Sequence, residues 1–190
     1  MKKPLTVGIS ARHVHVTQQD LETLFGPGAQ LTVFKNLSQP GQFASNEKVT
    51  LAGKKGKFEN VRILGPVRKQ TQVEISKTDS FALGIEAPVL QSGTLAEAAP
   101  ITIIGPAGSI ELGHAVIIAA RHIHMSPEDA EAYGVRDGQI VKVRTSGPRA
   151  LVFENVLVRV HPEFALDLHI DTDEANAAGV KNGDPVEVIL

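Results

Sequence analysis

Apolar residues in this chain come in short runs, with turn residues about every eight to twelve positions. Extended segments are predicted at 5–9, 30–34, 48–52, 57–64, 71–75, 89–92, 101–104, 109–112, 115–119, 139–145, 151–160, 166–170 and 185–190. The glycine pairs at 53–56 and 105–108 resemble phosphate-binding loops, but each lies between two strands, so hairpin turns are predicted there. This spacing is typical of a barrel-like β protein and argues against a βαβ fold.

Four short helices are predicted between these strands. Each begins after a side chain that can cap a helix N-terminus, has an acid three positions later, and ends near a glycine. The predicted capping residues are Thr17, Ser76, Ser126 and Asp171.

Two motifs occur twice in the chain. Arg12-His13-Val14-His15-Val16-Thr17 returns as Arg121-His122-Ile123-His124-Met125-Ser126, and Phe58-Glu59-Asn60-Val61 returns as Phe153-Glu154-Asn155-Val156. When the second alignment is extended, Glu74 aligns with His169. An internal repeat of this kind indicates two similar units related by pseudo-twofold symmetry.

The repeated histidine pairs predict metal binding. Side chains two apart in a strand share one face, roughly 6.5 Å apart, and two imidazoles so placed can bind one ion with Zn–N bonds of about 2.0–2.1 Å. A single His-x-His would favour an ordinary surface strand, but four of the seven histidines lie in these pairs. Glu74 and His169, each two residues before a helix cap, complete the sets. The predicted ligands are His13, His15 and Glu74 in one half and His122, His124 and His169 in the other.

Three protein ligands with an open position are typical of a catalytic zinc site, although Co²⁺, Ni²⁺ or Fe²⁺ suit the same donors. Taken alone, Glu74 would be interpreted as a surface acid. Its alignment with His169 favours its interpretation as a metal ligand. His114 and His161 lie outside the pattern and are predicted not to bind metal.

The composition narrows the classes of function. The 190 residues are 42% hydrophobic and 21% charged, as expected for a soluble globular protein. A net charge of −2, no basic block and no tryptophan argue against nucleic acid as a partner. No apolar run is long enough to cross a bilayer, and 1–4 lead almost directly into a strand, so neither a membrane span nor a signal peptide is expected. The absence of cysteine leaves His, Asp and Glu as metal ligands.

Arg68 has no basic counterpart, because Glu163 stands at its aligned position. A guanidinium shortly before Glu74 is a candidate for binding phosphate or carboxylate, and a solvated loop arginine is the alternative. Arg12 and Arg121 flank the histidine pairs in both halves, which also permits a structural role.

These segments together resemble the PduL family, the phosphate propanoyltransferases or phosphotransacylases. The similarity includes both histidine motifs, the loop at 37–44, the segment 63–74, and Phe153–Val156 and His169–Asn176, and it extends over nearly the whole chain.

The resemblance implies a mainly β (α+β) fold with two pseudo-symmetric β-barrels capped by short helices. One unit would comprise 12–119 and the other 1–11 with 120–190. It also implies two zinc ions per chain near the barrel interface, bound by the six predicted ligands, and a homodimer.

The implied activity is reversible transfer of a short acyl group, propanoyl or acetyl, between coenzyme A and inorganic phosphate, as in propanediol degradation. Arg68 matches the family's active-site arginine, and Ser92 matches a serine near the reaction centre. Positions lining the coenzyme A site are matched by Ser10, Lys35, Arg62, Leu64 and Asn176. Microcompartment members carry an N-terminal extension that this sequence lacks, so a cytoplasmic enzyme is expected.

For such a site we predict that zinc polarises the thioester carbonyl and stabilises the departing thiolate, while Arg68 and the second metal hold phosphate. Two other functions stay open. The histidine pairs also permit a two-metal hydrolase of phosphoesters or thioesters, although such sites usually contain a bridging carboxylate. The second alternative is a non-catalytic module in which zinc only stabilises the barrels.

Overall fold

The computed structural model describes residues 3–190; Met1 and Lys2, included in the prediction for the N-terminus, lie outside this range. The elements are β1 (Leu5–Ser10), β2 (His13–His15), α1 (Gln18–Phe25), β3 (Val33–Asn36), β4 (Phe43–Ala52), β5 (Lys57–Gly65), β6 (Gln72–Glu74), α2 (Lys77–Leu83), β7 (Val89–Leu90), β8 (Ala99–Ile104), β9 (Ser109–Ala119), β10 (His122–Met125), α3 (Pro127–Tyr133), β11 (Ile140–Arg144), β12 (Val152–Val160), β13 (Asp167–Asp171), α4 (Thr172–Ala178) and β14 (Pro185–Ile189). None of the helices in this described range is long and apolar enough to span a membrane.

The chain divides into two compact units. The His13 unit comprises 11–37 and 41–119, and the His122 unit comprises 120–190, the residues up to Ser10, and Ser38–Pro40. The three loop residues Ser38–Pro40 therefore belong with the His122 unit, although the chain on both sides of them belongs with the His13 unit.

The His122 unit is a closed six-stranded barrel with the strand order β1-β13-β10-β12-β11-β14. Its interior is filled by alternating apolar side chains, including the fully buried Ile123, Val143 and Leu168. Alternation buries one face of each strand, so the polar side chains of β10 and β13 share the other face.

The His13 unit closes a barrel in the same way. The strands β4, β5, β2, β6, β9 and β8 each pair with the next, and β8 pairs back to β4. Two further strands, β3 and β7, extend the sheet at β4 and β9. Leu51, Ile63 and Ile103 lie in its core.

The pairing directions repeat between the units. The strand β2 runs parallel to β5 and antiparallel to β6, and β10 runs parallel to β12 and antiparallel to β13. The prediction of a mainly β protein with two pseudo-symmetric barrels capped by short helices is confirmed.

The helix starts are also where the sequence places them. Thr17, Ser76, Ser126 and Asp171 are the four N-caps, and each side chain accepts a hydrogen bond from the main-chain N–H three residues on. The strands are less well predicted: 109–112 and 115–119 form one continuous strand, β9, and the strand expected at 30–34 is Val33–Asn36.

The repeated Phe-Glu-Asn-Val motif forms a β-bulge in each unit. Phe58 pairs with Leu51 and Val61 with Val49, so two residues stand opposite one. The extra residue, Asn60, has a φ of 60°, and its counterpart Asn155 has a φ of 55°, a left-handed conformation that asparagine tolerates better than most residues. The bulge explains why asparagine recurs at this position.

The predicted hairpin turns at 53–56 and 105–108 are confirmed, and both contact the end of a helix. The Lys55 N–H donates to the Leu83 carbonyl at 3.0 Å, and the Ala107 N–H donates to the Leu24 carbonyl at 2.9 Å. A Cβ on Gly53 would lie 2.2 Å from the Leu83 carbonyl oxygen, so this approach requires glycine. The turns thus satisfy carbonyl groups that helix ends leave without partners.

Candidate metal centres and active-site residues

The first candidate metal site, the His13 cluster, consists of His13, His15 and Glu74. His13 and His15 lie on one face of β2, and the antiparallel register with β6 places Glu74 opposite His13. His13 Nε2 is 3.5 Å from Glu74 Oε2, and His15 Nε2 is 3.8 Å from Glu74 Oε1. All three side chains are buried. One ligand atom from each lies within 4.8 Å of the others, so they could hold one metal ion.

The second candidate site, the His122 cluster, has the same construction. His122 and His124 share a face of β10, and the register with β13 places His169 opposite His122. The Nε2 atoms of His122 and His124 are 3.1 Å apart, and one nitrogen from each of the three rings lies within 4.8 Å of the others. The structure therefore brings each predicted set of three ligands together.

Main-chain hydrogen bonds set the orientation of the first histidine in each pair. His13 Nδ1 is 2.8 Å from the Ala11 carbonyl oxygen, and His122 Nδ1 is 2.8 Å from the Ala120 carbonyl oxygen. A carbonyl only accepts hydrogen bonds, so Nδ1 carries a proton in both rings, and Nε2 is the nitrogen left to bind a metal. Both Nε2 atoms face their clusters, and the donor sets fit a divalent cation such as Zn²⁺.

The charges in the His13 cluster are strongly coupled. Burial disfavours the Glu74 carboxylate, but the neighbouring His13, His15 and Arg68 outweigh burial and hold the Glu74 pKa well below its usual range. Burial likewise opposes protonation of His13, and the Glu74 carboxylate reverses this and raises the pKa of His13. Burial, together with His13 and Arg68, lowers the pKa of His15 well below its usual range. These shifts favour an ionised Glu74 and a neutral His15 at neutral pH, whereas the raised pKa of His13 means that a metal ion would displace a proton from this ring.

Ser92, predicted near the reaction centre, lies beside the ligand Glu74. Its hydroxyl donates to Glu74 Oε1 at 3.1 Å and accepts from Gln72 Nε2 at 2.8 Å. Gln72 Nε2 also donates to Glu74 Oε1 at 2.6 Å, and Gln72 Oε1 accepts from the Gly93 N–H at 2.8 Å. Gln72 thus fixes both Glu74 and the segment carrying Ser92, and it is not among the site residues predicted from the sequence.

Arg68 lies next to the same cluster. Its main-chain N–H donates to the Val16 carbonyl at 2.8 Å, one residue beyond His15. The half-buried guanidinium is close enough to lower the pKa of His13, His15 and Glu74. The structure therefore places this cation within electrostatic reach of the His13 cluster.

Arg12 and Arg121 have structural contacts instead. Arg12 is 2.6 Å from Asp79 Oδ1 and lies over the Phe58 ring at 4.3 Å. Arg121 is 2.8 Å from Glu174 Oε1 and lies over Phe153 at 5.1 Å. Each arginine thus joins a histidine strand to a helix and to the repeated phenylalanine.

The five positions predicted to line the coenzyme A site fall in two groups. One group lies on β3 and β5 of the His13 unit and consists of Lys35, Arg62 and Leu64. Arg62 pairs with His13 of β2, and its guanidinium lies 4.3 Å from the centre of the Phe34 ring. In the His122 unit, Ser10 pairs with Asp171, the N-cap of the helix that carries Asn176. Lys35 and Asn176 are exposed.

Comparison with known proteins identifies the family. The family model described as phosphate propanoyltransferase matches residues 6–181. The chain belongs to the phosphate propanoyltransferase family. It is 57% identical over 190 residues to a phosphate propanoyltransferase of Thermotoga maritima. The aligned region covers 99% of this chain and 90% of that relative. A protein of the same description from Lachnoclostridium phytofermentans is 53% identical, over 96% of this chain and 86% of the relative. Another from Shewanella putrefaciens is 50% identical, over 100% of this chain and 90% of the relative.

Membership confirms the resemblance predicted from the sequence and makes the protein an acyltransferase.

Proposed function

We propose that the protein transfers a short acyl group, propanoyl or acetyl, reversibly between coenzyme A and inorganic phosphate, with one zinc ion in each cluster. The observation that carries this proposal is that each unit gathers three candidate ligands into one cluster, in a chain of the phosphate propanoyltransferase family. The relatives' name supports acyl-CoA and phosphate as the substrates.

The two clusters are suited to bind the metals through different donor sets. The His13 cluster offers two neutral nitrogens and a carboxylate, and the His122 cluster offers three nitrogens. A zinc ion held by these three-residue sets would supply Lewis acidity, which would polarise a thioester carbonyl and stabilise a thiolate leaving group.

Arg68 is proposed to bind the phosphate substrate. Its planar guanidinium can donate two parallel hydrogen bonds to two phosphate oxygens, which holds the anion in one orientation. Holding phosphate against the thioester carbonyl raises the effective concentration of the attacking oxygen and requires no acyl-enzyme intermediate.

The bond changes are those of direct acyl transfer. A phosphate oxygen forms a bond to the carbonyl carbon, the carbon–sulfur bond breaks, and the products are acyl phosphate and the coenzyme A thiol. The proton lost by phosphate balances the proton gained by the thiolate. Ser92 and Gln72 contribute by holding the Glu74 carboxylate in place through their hydrogen bonds.

Recognition of coenzyme A is proposed for Ser10, Lys35, Arg62, Leu64 and Asn176. Cationic side chains such as Lys35 and Arg62 suit the phosphate groups of this substrate. The homodimer implied by the family resemblance stays a prediction, which light scattering in solution can test.

The experiment is an assay of thiol release from propanoyl-CoA and acetyl-CoA, with and without phosphate, coupled to detection of acyl phosphate as its hydroxamate. We expect thiol release that depends on phosphate and equals acyl phosphate formed, and we expect both to stop after chelation and to return with Zn²⁺.

Two results would contradict the proposal. Release of thiol without phosphate would indicate a thioesterase, and no release by a metal-loaded, folded chain would indicate that zinc only stabilises the barrels.

A further inference from the structure

Asp167 is a buried carboxylate next to the His122 cluster. It is 5% exposed and stands on β13 opposite His124, two residues before His169 and on the same face of the strand. A buried carboxylate is costly unless hydrogen-bond donors surround it. The donors around Asp167 therefore indicate what the residue does.

Two polar groups lie against Asp167 Oδ2. The Ser38 hydroxyl donates to it at 2.7 Å, and His169 Nε2 lies 3.1 Å away. Ser38 is itself fixed, because the neighbouring Gln39 side chain donates to the Ala165 carbonyl at 2.9 Å and accepts from the Ala165 N–H at 3.1 Å. The loop residues 38–40 therefore hold the carboxylate in position.

Gly8 supplies the space that the carboxylate occupies. It pairs with His169 in β1, and a Cβ at this position would lie 2.7 Å from Asp167 Oδ2, which real Cβ atoms essentially never do. Two separate parts of the chain, the loop 38–40 and β1, thus accommodate one carboxylate beside one imidazole.

The tautomer of His169 follows from this contact. A carboxylate only accepts hydrogen bonds, so a lone pair on His169 Nε2 would face the lone pairs of Asp167. The favourable arrangement has the proton on Nε2, which leaves the lone pair on Nδ1. His122 has the opposite arrangement, since its Nδ1 faces the Ala120 carbonyl.

The His13 cluster has a residue at the same position, with the opposite hydrogen-bonding character. Gln72 stands opposite His15, two residues before Glu74, and donates from Nε2 to Glu74 Oε1 at 2.6 Å. An acidic ligand is therefore supported by a donor, and an imidazole ligand by an acceptor. This exchange is expected if both positions serve to hold the third ligand.

We propose that Asp167 is a positioning residue that accepts a hydrogen bond from His169 Nε2, so that His169 presents Nδ1 to the metal of the His122 cluster. The part of this proposal that concerns metal binding rests on the proposed function. A carboxylate behind a metal-binding imidazole fixes its orientation and increases its basicity, and loss of such a partner typically costs about 10–100-fold in metal affinity.

The first experiment determines the tautomer by long-range ¹H–¹⁵N NMR of the histidine rings, in the metal-free and the zinc-loaded chain. The His169 signals are assigned from their absence in His169→Gln. We expect protonated Nε2 in both forms, and protonated Nδ1 would overturn the proposal. The metal-free arm decides this even if the chain binds no zinc, which would count only against the proposed function.

The second experiment measures zinc release to a chelator by Asp167→Asn, with Glu163→Gln as a control that removes one exposed negative charge in the same unit. The kinetic phase of the His122 cluster is the phase absent in His122→Ala. We expect release from this cluster about 10–100-fold faster in Asp167→Asn and unchanged in Glu163→Gln. Ser38→Ala should change it in the same direction by less.

Two outcomes of the second experiment would overturn the proposal. Unchanged release in Asp167→Asn would show that the carboxylate does not support the metal site. Complete loss of that zinc ion, as in His169→Ala, would make Asp167 a direct ligand.

Discussion

At the scale of single residues, the candidate centres depend on which atom of each side chain faces which partner. Main-chain carbonyls direct the Nε2 atoms of His13 and His122 into their clusters, and Gln72 fixes the carboxylate of Glu74. These contacts restrict the ligands before any ion is bound. Less conformational entropy is then lost when a metal binds.

The role of Arg68 is tested by Arg68→Ala, with Lys69→Ala as the matched control in the same loop. If Arg68 binds phosphate, the Ala variant should lose about 10²-fold or more in kcat/KM for phosphate, because a misplaced nucleophile loses most of its effective concentration. Its metal content should stay unchanged. The measurement is steady-state kinetics beside metal analysis of the same samples.

Lys69 is exposed, so Lys69→Ala should behave as the parent chain. Normal turnover in Arg68→Ala would remove this arginine from the proposed mechanism. A parallel loss of metal would assign it to the integrity of the His13 cluster instead.

The two clusters of candidate ligands could be predicted from the sequence, but the residues that hold them in place could not. The ligands could be predicted because a strand alternates its faces and the motif occurs twice. Gln72 and Asp167 escaped because their roles depend on strand register and on donors distant in sequence, such as Ser38 for Asp167. A search for polar residues two positions before each third ligand would have identified both.

At the scale of elements, the hairpin turns and helices support one another. The turn at 53–56 hydrogen-bonds the end of α2, and the turn at 105–108 hydrogen-bonds the end of α1. The N-caps of these helices follow β2 and β6, the strands that carry the candidate ligands, within two residues. Packing at the helix ends is therefore coupled to the position of the ligands.

The helix–turn contact is tested by Gly53→Ala, with Gly113→Ala as the control. A Cβ on Gly53 would lie 2.2 Å from the Leu83 carbonyl oxygen, whereas a Cβ on Gly113 would have no neighbour within 4 Å. We expect the first change to lower the free energy of unfolding by about 1–3 kcal/mol, as overpacking does, and the second to have little effect. Equal midpoints in denaturant for the two variants would show that the turn moves away at no cost.

Helix caps were predicted well because capping is a local property of a few residues. The continuous strand β9 was predicted as two pieces, because the polar residues between its apolar runs are typical of a turn as well as of an exposed strand. The assignment of Ser38–Pro40 to the His122 unit depends on contacts with residues such as Ala165 and Asp167, which no local pattern encodes.

At the scale of the whole molecule, one arrangement of strands is used twice with different ligands. In the His13 unit, β9 pairs in parallel with β6 and antiparallel with β8. In the His122 unit, β1 pairs in the same way, in parallel with β13 and antiparallel with β14. Each barrel thereby places two histidines and a third ligand on neighbouring strands. We therefore predict two separate metal sites per chain, each depending on its own three residues.

The most direct test of this claim is metal analysis of the purified chain and of single-ligand variants by plasma mass spectrometry. We predict two divalent metal ions per parent chain, and one ion in each of His13→Ala and His122→Ala. A parent chain that binds no divalent metal would show that the clusters are not metal sites, and a His122→Ala variant that retains both ions would show that His122 is not a ligand.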